Sequence, residues 1–343
     1  MSRFVANGWR QLTASVNSVV DKYRTTVFGL RLISRRRYDQ YFGYFSVTTC
    51  MLTTGLYVSY NTVLVDKYRS IFQSYRGQEN TPLNESVAKL AETVWQEYNE
   101  RLGGRRTSDS VRFFASVGSQ PISIGTLTTG AWIGLPFTLS YATVDDVKTV
   151  DLRFFGQHDP YIKWRSPAGQ AFIQSLVLSD RAKKYAVGHQ ILVANNANLA
   201  LNALNVTTAT AVAVGLPYMI ITRTKLFTAV QHRFIVTAIS LVIGYYLWSV
   251  VNQLVNYTAS SRADKHIVSL GDDDYIDGAI EFLEKLMTRN AAFNVLTEDL
   301  PSWRMFTDDG EVKGLLTSKL LTIERRINYL KSFKQNNNNN NTN

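Results

Sequence analysis

"LALNALNVTTATAVAVGLPYMIIT" (residues 199–222) and "FIVTAISLVIGYYLWSVVNQLVNY" (234–257) flank "RTKLFTAVQHR" (223–233). Neither long segment carries a charged side chain. Each exceeds the roughly 20 mainly apolar residues that a helix needs to cross a bilayer. With so short a connection, the pair reads as a hairpin of antiparallel membrane helices. Upstream, "QYFGYFSVTTCMLTTGLYVSYNTVLV" (40–65) has the same character, so three crossings are expected.

Charge orients them. Arg3, Arg10, Lys22, Arg24, Arg31, Arg35, Arg36 and Arg37 precede the first crossing, with only Asp21 and Asp39 against them, and the hairpin loop carries Arg223, Lys225 and Arg233. Three crossings put both basic regions on one face, as the positive-inside rule requires. The leader (1–39) is Arg-rich, acid-poor and sprinkled with Ser and Thr, the composition of a mitochondrial transit or matrix-anchored segment. The same composition suits a cytosolic juxtamembrane segment drawn to anionic lipid. In the mitochondrial case the N-terminus and hairpin loop face the matrix, and the larger polar regions face the intermembrane space.

Of the 343 residues 45% are hydrophobic, and the net charge is +10. Most of that charge sits in the leader and beside the membrane, so it argues for lipid and against nucleic acid. No aromatic-basic recognition module or Gly-rich phosphate loop is visible. The lone cysteine, Cys50, lies inside the first crossing, which excludes an intramolecular disulfide or a two-thiolate metal site within one chain.

The polar segment 66–198 is long enough for a core. In "NESVAKLAETVWQEYNERL" (84–102) Val87, Leu90, Ala91, Val94, Trp95 and Tyr98 recur at helical spacing. The texture then changes to short β-branched and aromatic runs, "SVRFFASVG", "AWIGLPFTLSY" and "KTVDLRFFG", which predict a small antiparallel sheet. Helices are expected to begin at Ser166, with Pro167 at the first helical position, and at Ser179. After the hairpin, 258–334 holds two more apolar stripes, Ile276, Ala279, Ile280, Leu283, Leu286 and Met287, then Leu316, Leu320, Ile323, Ile327 and Leu330. Neither helix buries its stripe alone, so both should pack on the sheet-bearing segment. The Asn-rich tail (335–343) has nothing to bury and is expected to be disordered. The fold class is therefore an α+β membrane protein.

"AVGHQILVANN" (186–196) has a histidine where a zinc peptidase carries H-E-x-x-H. The order of helix, small sheet, histidine helix, membrane hairpin and "SSRADKHIVSLGDDDYIDGAIEFLEKL" is similar to HtpX-like and CAAX-prenyl membrane zinc peptidases. That resemblance puts His189 at the first ligand, Gln190 at the catalytic glutamate, Val193 at the second histidine, Ser260 at the ligand carboxylate and Asp264 at the trailing aspartate. Hydrolytic zinc needs three protein ligands, an open position and a base. Val193 has no lone pair, Ser260 is a poor neutral ligand and Gln190 takes no proton, so neither zinc nor any other cofactor, and no hydrolysis, is expected. His232, on the opposite face by the topology, and His266, an isolated surface position, are the imaginable substitutes. The rival reading is a membrane zinc metallopeptidase with atypical ligands. A channel or carrier finds little support in spans without charge; Asn202 and Asn205 read as hydrogen-bonding residues of the helix bundle.

"IKWRSPAGQAFIQSLVLSDRAKKYAVGHQILVANN", the upstream "TTGAWIGLPFTL" and the downstream "GAIEFLEKLMTRNAAFNVL" resemble the transmembrane protein 177 family, over roughly residues 128–323. Trp164, Arg165, Ser166, Pro167 and Gly169 form the most specific piece. The resemblance implies a non-enzymatic mitochondrial inner-membrane factor that supports cytochrome c oxidase assembly. Its partners would be oxidase subunit two and the chaperone that holds it while the copper centre is installed. Ser-Pro-x-Gly reads first as a device that turns sheet into helix, while Trp and Arg are also favoured at interfaces. Oligomeric state is not legible in the sequence.

Overall fold

The computed structural model describes residues 35–76, 79–101, 110–149, 152, 163–194, 198–224, 230–269, 273–297, 305–313 and 322–341. Of the leader only 35–39 fall among them, and the "KTVDLRFFG" run and the stripe at Leu316 and Leu320 lie mainly outside. The chain divides into two compact units, Met1–Met51 with Thr210–Val242, and Leu52–Ala209 with Ile243–Asn343.

The described helices are α1 Arg35–Asn61, α2 Val65–Phe72, α3 Glu85–Arg101, α4 Pro167–Leu176, α5 Asp180–Ala194, α6 Asn198–Thr210, α7 Leu216–Thr224, α8 Val230–Ser269, α9 Asp273–Leu296 and α10 Ile323–Asn341. The sheet strands are β1 Val111–Ser116, β2 Ile122–Thr126 and β3 Gly130–Pro136.

Among the described residues two segments are long and apolar enough to cross a membrane, Asn198–Ile221 and His232–Ser269. The first contains Pro217, which lacks a backbone donor and would press on the carbonyl one turn back. A π-helical turn at Ala211–Gly215 opens the backbone just before it, which is how helices commonly absorb such a break. At about 1.5 Å per residue the 40-residue α8 is about 60 Å long, twice the hydrocarbon thickness. Its exposed side chains change accordingly. Phe234, Ile235, Leu241, Val242, Tyr245 and Trp248 are exposed, whereas Ala259, Ala263 and Ile267 are buried in the core. α1 is continuous over 27 residues, and Tyr44, Phe45, Met51 and Leu56 on it are exposed. Its many Tyr, Thr and Ser residues dilute its apolarity, so the fold establishes two membrane-length helices and not the expected third.

Polar side chains tie these helices within each unit. In the larger unit Asn205 Nδ2 donates to the Trp248 carbonyl at 3.0 Å, and Thr54 bonds Thr207 at 2.7 Å. In the smaller one Ser46 donates to the Val214 carbonyl at 3.3 Å and Phe42 stacks on Tyr218 at 5.8 Å. Asn205 thus takes the bundle role expected of it.

The sheet has the order β1-β3-β2, with β2 antiparallel to β3 and β1 parallel to it. It is mixed, where an antiparallel sheet was expected. The short turn after β1 sends the chain past a vacant position that β3 then fills, so β1 and β3 run the same way. "ISIGT" (122–126), not singled out from the sequence, supplies the middle strand in chain order. Gly134 sits where the strands crowd; a Cβ there would lie 2.7 Å from Phe114 and Ser116.

The main core joins α3, α5, α9 and α10 to the sheet through Val94, Trp95, Tyr98, Ile133, Tyr185, Ile191, Ile276, Leu283 and Leu330. The stripes read from the sequence on α3 and α9 are the buried faces. Gly188 lets α5 approach α3, since a Cβ would meet the Tyr98 ring at 2.7 Å. A smaller cluster holds Tyr141, Phe172, Ile173, Leu176 and Ala292, with Trp164 against it. α10 runs on to Asn341, into the tail expected to be disordered. Extending an existing helix adds one hydrogen bond per residue without a new nucleus.

Candidate functional site

Ser166 opens α4 and Ser179 opens α5, the helix that carries His189. Ser166 Oγ accepts from the Gly169 amide at 3.1 Å with Pro167 at the first helical position. Trp164 lies against Phe172 at 6.0 Å, and its carbonyl accepts from Gln170 Nε2 at 3.0 Å. The Gly169 position is pressed against the Trp164 backbone, leaving no room for a Cβ. Trp164, Ser166, Pro167 and Gly169 therefore form a turn-and-cap device, with Arg165 and Pro167 exposed. Ser179 caps α5 through the Ala182 amide at 3.2 Å, and Glu281 of α9 accepts its backbone N–H at 3.0 Å.

α5 and the far end of α8 then bring three of the five peptidase-like positions together. His189 Nε2 lies 3.7 Å from Asp264 Oδ1, and the imidazole hydrogen-bonds the backbone of Ser260. A residue not foreseen from the sequence completes the cluster. Arg326, on the first turn of α10, donates from Nε to Asp264 Oδ2 at 2.6 Å and from Nη2 to Asp264 Oδ1 at 3.0 Å. The same Nη2 lies 3.0 Å from His189 Nε2 and 3.0 Å from the Tyr185 hydroxyl. Tyr185 in turn donates to Asp264 Oδ1 at 2.8 Å.

This network assigns the tautomer. The backbone oxygen of Ser260 accepts from Nδ1–H, so Nε2 carries the lone pair and receives the Arg326 donor. Burial first, and then the Arg326 charge, pull the His189 pKa down to about 4, against smaller upward pulls from Asp264 and the Ser260 carbonyl. His189 is thus neutral at physiological pH, and the one lone pair it could offer a cation is engaged by a guanidinium. Asp264, 2% exposed, is held by a bidentate charged pair, the strongest arrangement available to it.

Gln190 and Val193 stand apart from this cluster. Gln190 is half-buried, and Val193 lines a separate cavity of about 300 Å³ that also holds Asn61, Asn198, Asn202 and Asn256. Among the described residues no charged side chain lines that cavity. His232 is exposed on α8, and His266 is half-buried there. Among the described residues neither contacts the cluster, and no three His, Cys, Asp or Glu side chains converge as a metal site.

Sequence reading missed Tyr185 and Arg326. Both carried a signal: Tyr185 is one turn before His189 on the same face, and Arg326 interrupts the apolar stripe of Ile323, Ile327 and Leu330. A charge on a buried face calls for a partner.

Among curated proteins the chain is 25% identical to zebrafish transmembrane protein 177 over 235 residues, covering 67% of this chain and 73% of that one. It is 24% identical to the human protein of that name over 274 residues (78% and 83%), and 26% identical to the Xenopus laevis one over 267 residues (74% and 82%). No solved structure matches. Residues 48–342 match the family described as Transmembrane protein 177, a longer stretch than the motifs around Trp164 and His189 span, and the chain belongs to that family.

Proposed function

We propose that the protein is a non-enzymatic factor of the mitochondrial inner membrane that supports cytochrome c oxidase assembly. In this reading it holds and stabilises subunit two and its chaperone by contact. The observation that carries the non-enzymatic part is the position of Arg326. Its guanidinium bridges Asp264 and the His189 Nε2 lone pair, the lone pair that a peptidase of similar element order would give to its cation. A cation that is part of the chain leaves no exchangeable position for an activated water, which hydrolytic zinc requires. With Gln190 and Val193 in place of base and ligand, the cluster acts as a clamp joining α5, α8 and α10.

The partners and compartment in this reading are those that the family resemblance implies. The Arg-rich leader supports the mitochondrial assignment, and the exposed apolar face of α1 supports a third crossing at 40–65. Three crossings place the N-terminus and the 223–233 loop in the matrix and the folded polar regions in the intermembrane space.

Depleting the protein is expected to lower subunit two or its chaperone, and a tagged copy should co-purify oxidase assembly factors. Normal oxidase levels with no such factors recovered would overturn the reading. Metal analysis of detergent-purified protein separates the rival: stoichiometric zinc that disappears in His189→Ala, with chelator-sensitive cleavage of a polypeptide, would establish a metallopeptidase. Protease protection in mitoplasts with a C-terminal tag tests compartment and crossing number together.

A further inference from the structure

Arg289 lies on α9, about two turns before its end, and only 8% of it is exposed. Its Nη1 donates to the Ser119 carbonyl at 2.8 Å. Its Nη2 is buried and has no hydrogen-bond partner. Burial alone pulls its pKa down to about 10, with no neighbouring charge contributing in either direction. Nearby Lys285 is treated differently: Glu281 sits 2.8 Å from its ammonium, and it donates to the Val177 carbonyl. Among the described residues Arg289 is therefore a buried cation without a counter-charge.

It borders a cavity of about 10 Å³, whose wall also includes Ser119, Thr138, Ser175, Lys285 and Leu286. That is room for about one water-sized particle. Among the described residues no carboxylate lines it. The Ser175 hydroxyl donates to the Phe172 carbonyl at 2.6 Å, so its proton is engaged elsewhere. A water here would accept from Nη2 yet leave the positive charge unanswered, and buried charges persist where they are paired. A space of about 10 Å³ is too small for phosphate or sulfate.

We propose that this cavity binds one monovalent anion of halide size, chloride in the cell, held by Nη2 of Arg289 in a wall that also presents Thr138 and Lys285. The anion completes the charge of α9 and pins the turn at Ser119, the 3₁₀ turn at Phe137–Ser140 and the end of α4 to that helix. This assignment is independent of the proposed function, since it rests on neither the Arg326 cluster nor any partner.

The test uses the full chain in detergent, with thermal unfolding followed in potassium chloride, potassium bromide and potassium gluconate at equal ionic strength. Chloride and bromide are expected to raise Tm by roughly 2–5 °C over gluconate, and Arg289→Met should abolish the difference. Should that variant not fold, crystals of the unaltered protein grown in bromide give the answer, with an anomalous peak expected within hydrogen-bond distance of Nη2. Superimposable curves in the three salts, a halide response that survives Arg289→Met, or water at Nη2 in the bromide crystal would each overturn the site.

Discussion

Arg326 and Arg289 are both nearly closed off from solvent, with 13% of the first side chain and 8% of the second residue exposed. Around Arg326 the chain has gathered a carboxylate, a phenol and an imidazole, each within 3.0 Å. Around Arg289 it offers one carbonyl and an empty space. One cation is answered from within the sequence, and the other needs something from outside it. The difference matters because removing one member of a completed pair strands the other's charge, whereas removing Arg289 frees one carbonyl and strands no charge.

The largest effect should therefore follow Arg326→Met, which leaves Asp264 charged and buried. A loss of about 3–5 kcal/mol is expected in chemical denaturation of the detergent-solubilised chain. Adding Asp264→Leu should restore most of it, because replacing both partners removes the stranded charge. A single-variant loss below about 1 kcal/mol would show that the cluster is no clamp.

The second effect is a pH dependence. His189 has a folded pKa of about 4 against roughly 6.5 in an unfolded chain. Between those values the unfolded state binds the extra proton, so stability falls as pH drops from about 6.5 and levels off below about 4. The span amounts to roughly 3 kcal/mol. His189→Gln should flatten that part of the profile and leave the remaining carboxylate titration below it. A His189→Gln curve parallel to the original would mean that the imidazole titrates over the same pH range folded and unfolded, and that Arg326 does not face its lone pair.

How much of this was legible in advance depends on the range over which each interaction acts. Helix stripes and caps are local, so Val94, Trp95, Ser166 and Ser179 announced themselves through spacing and residue type. The parallel pairing of β1 with β3 is decided by which strand fills the gap between β1 and β2, and no window of sequence contains that choice. Arg326 meets His189 across 137 positions and Asp264 across 62. Its misfit on an apolar stripe was visible, while its partners were not. The peptidase-like alignment did select His189, Ser260 and Asp264, which the fold brings together, because element order fixes which helix ends meet. It could not foresee that a later helix would insert a cation there.

The caps sharpen the contrast by scale. Ser166→Ala removes the bond accepted from the Gly169 amide and the one donated to the Lys163 carbonyl, with an expected loss of about 1 kcal/mol in denaturation. Ser166→Asp should retain most of it, since a carboxylate accepts from the same Gly169 amide. Equal losses in both variants would mean that the hydroxyl proton donated to the Lys163 carbonyl at 2.6 Å matters more than the cap.

Smallest of all should be Arg289→Met measured in gluconate, where no halide answers the charge. Methionine keeps most of the aliphatic stem, which packs beside Leu286 and Phe282 along the same cavity, and discards a guanidinium whose desolvation nothing repays. Lost packing and lost desolvation cost oppose each other, so the net change should stay within about 1 kcal/mol and lean towards stabilisation. In saturating chloride the unaltered protein gains and the variant does not, and the ranking reverses. A loss in gluconate as large as that of Arg326→Met would mean that the two arginines are equally completed by the chain, and the contrast between them would fall.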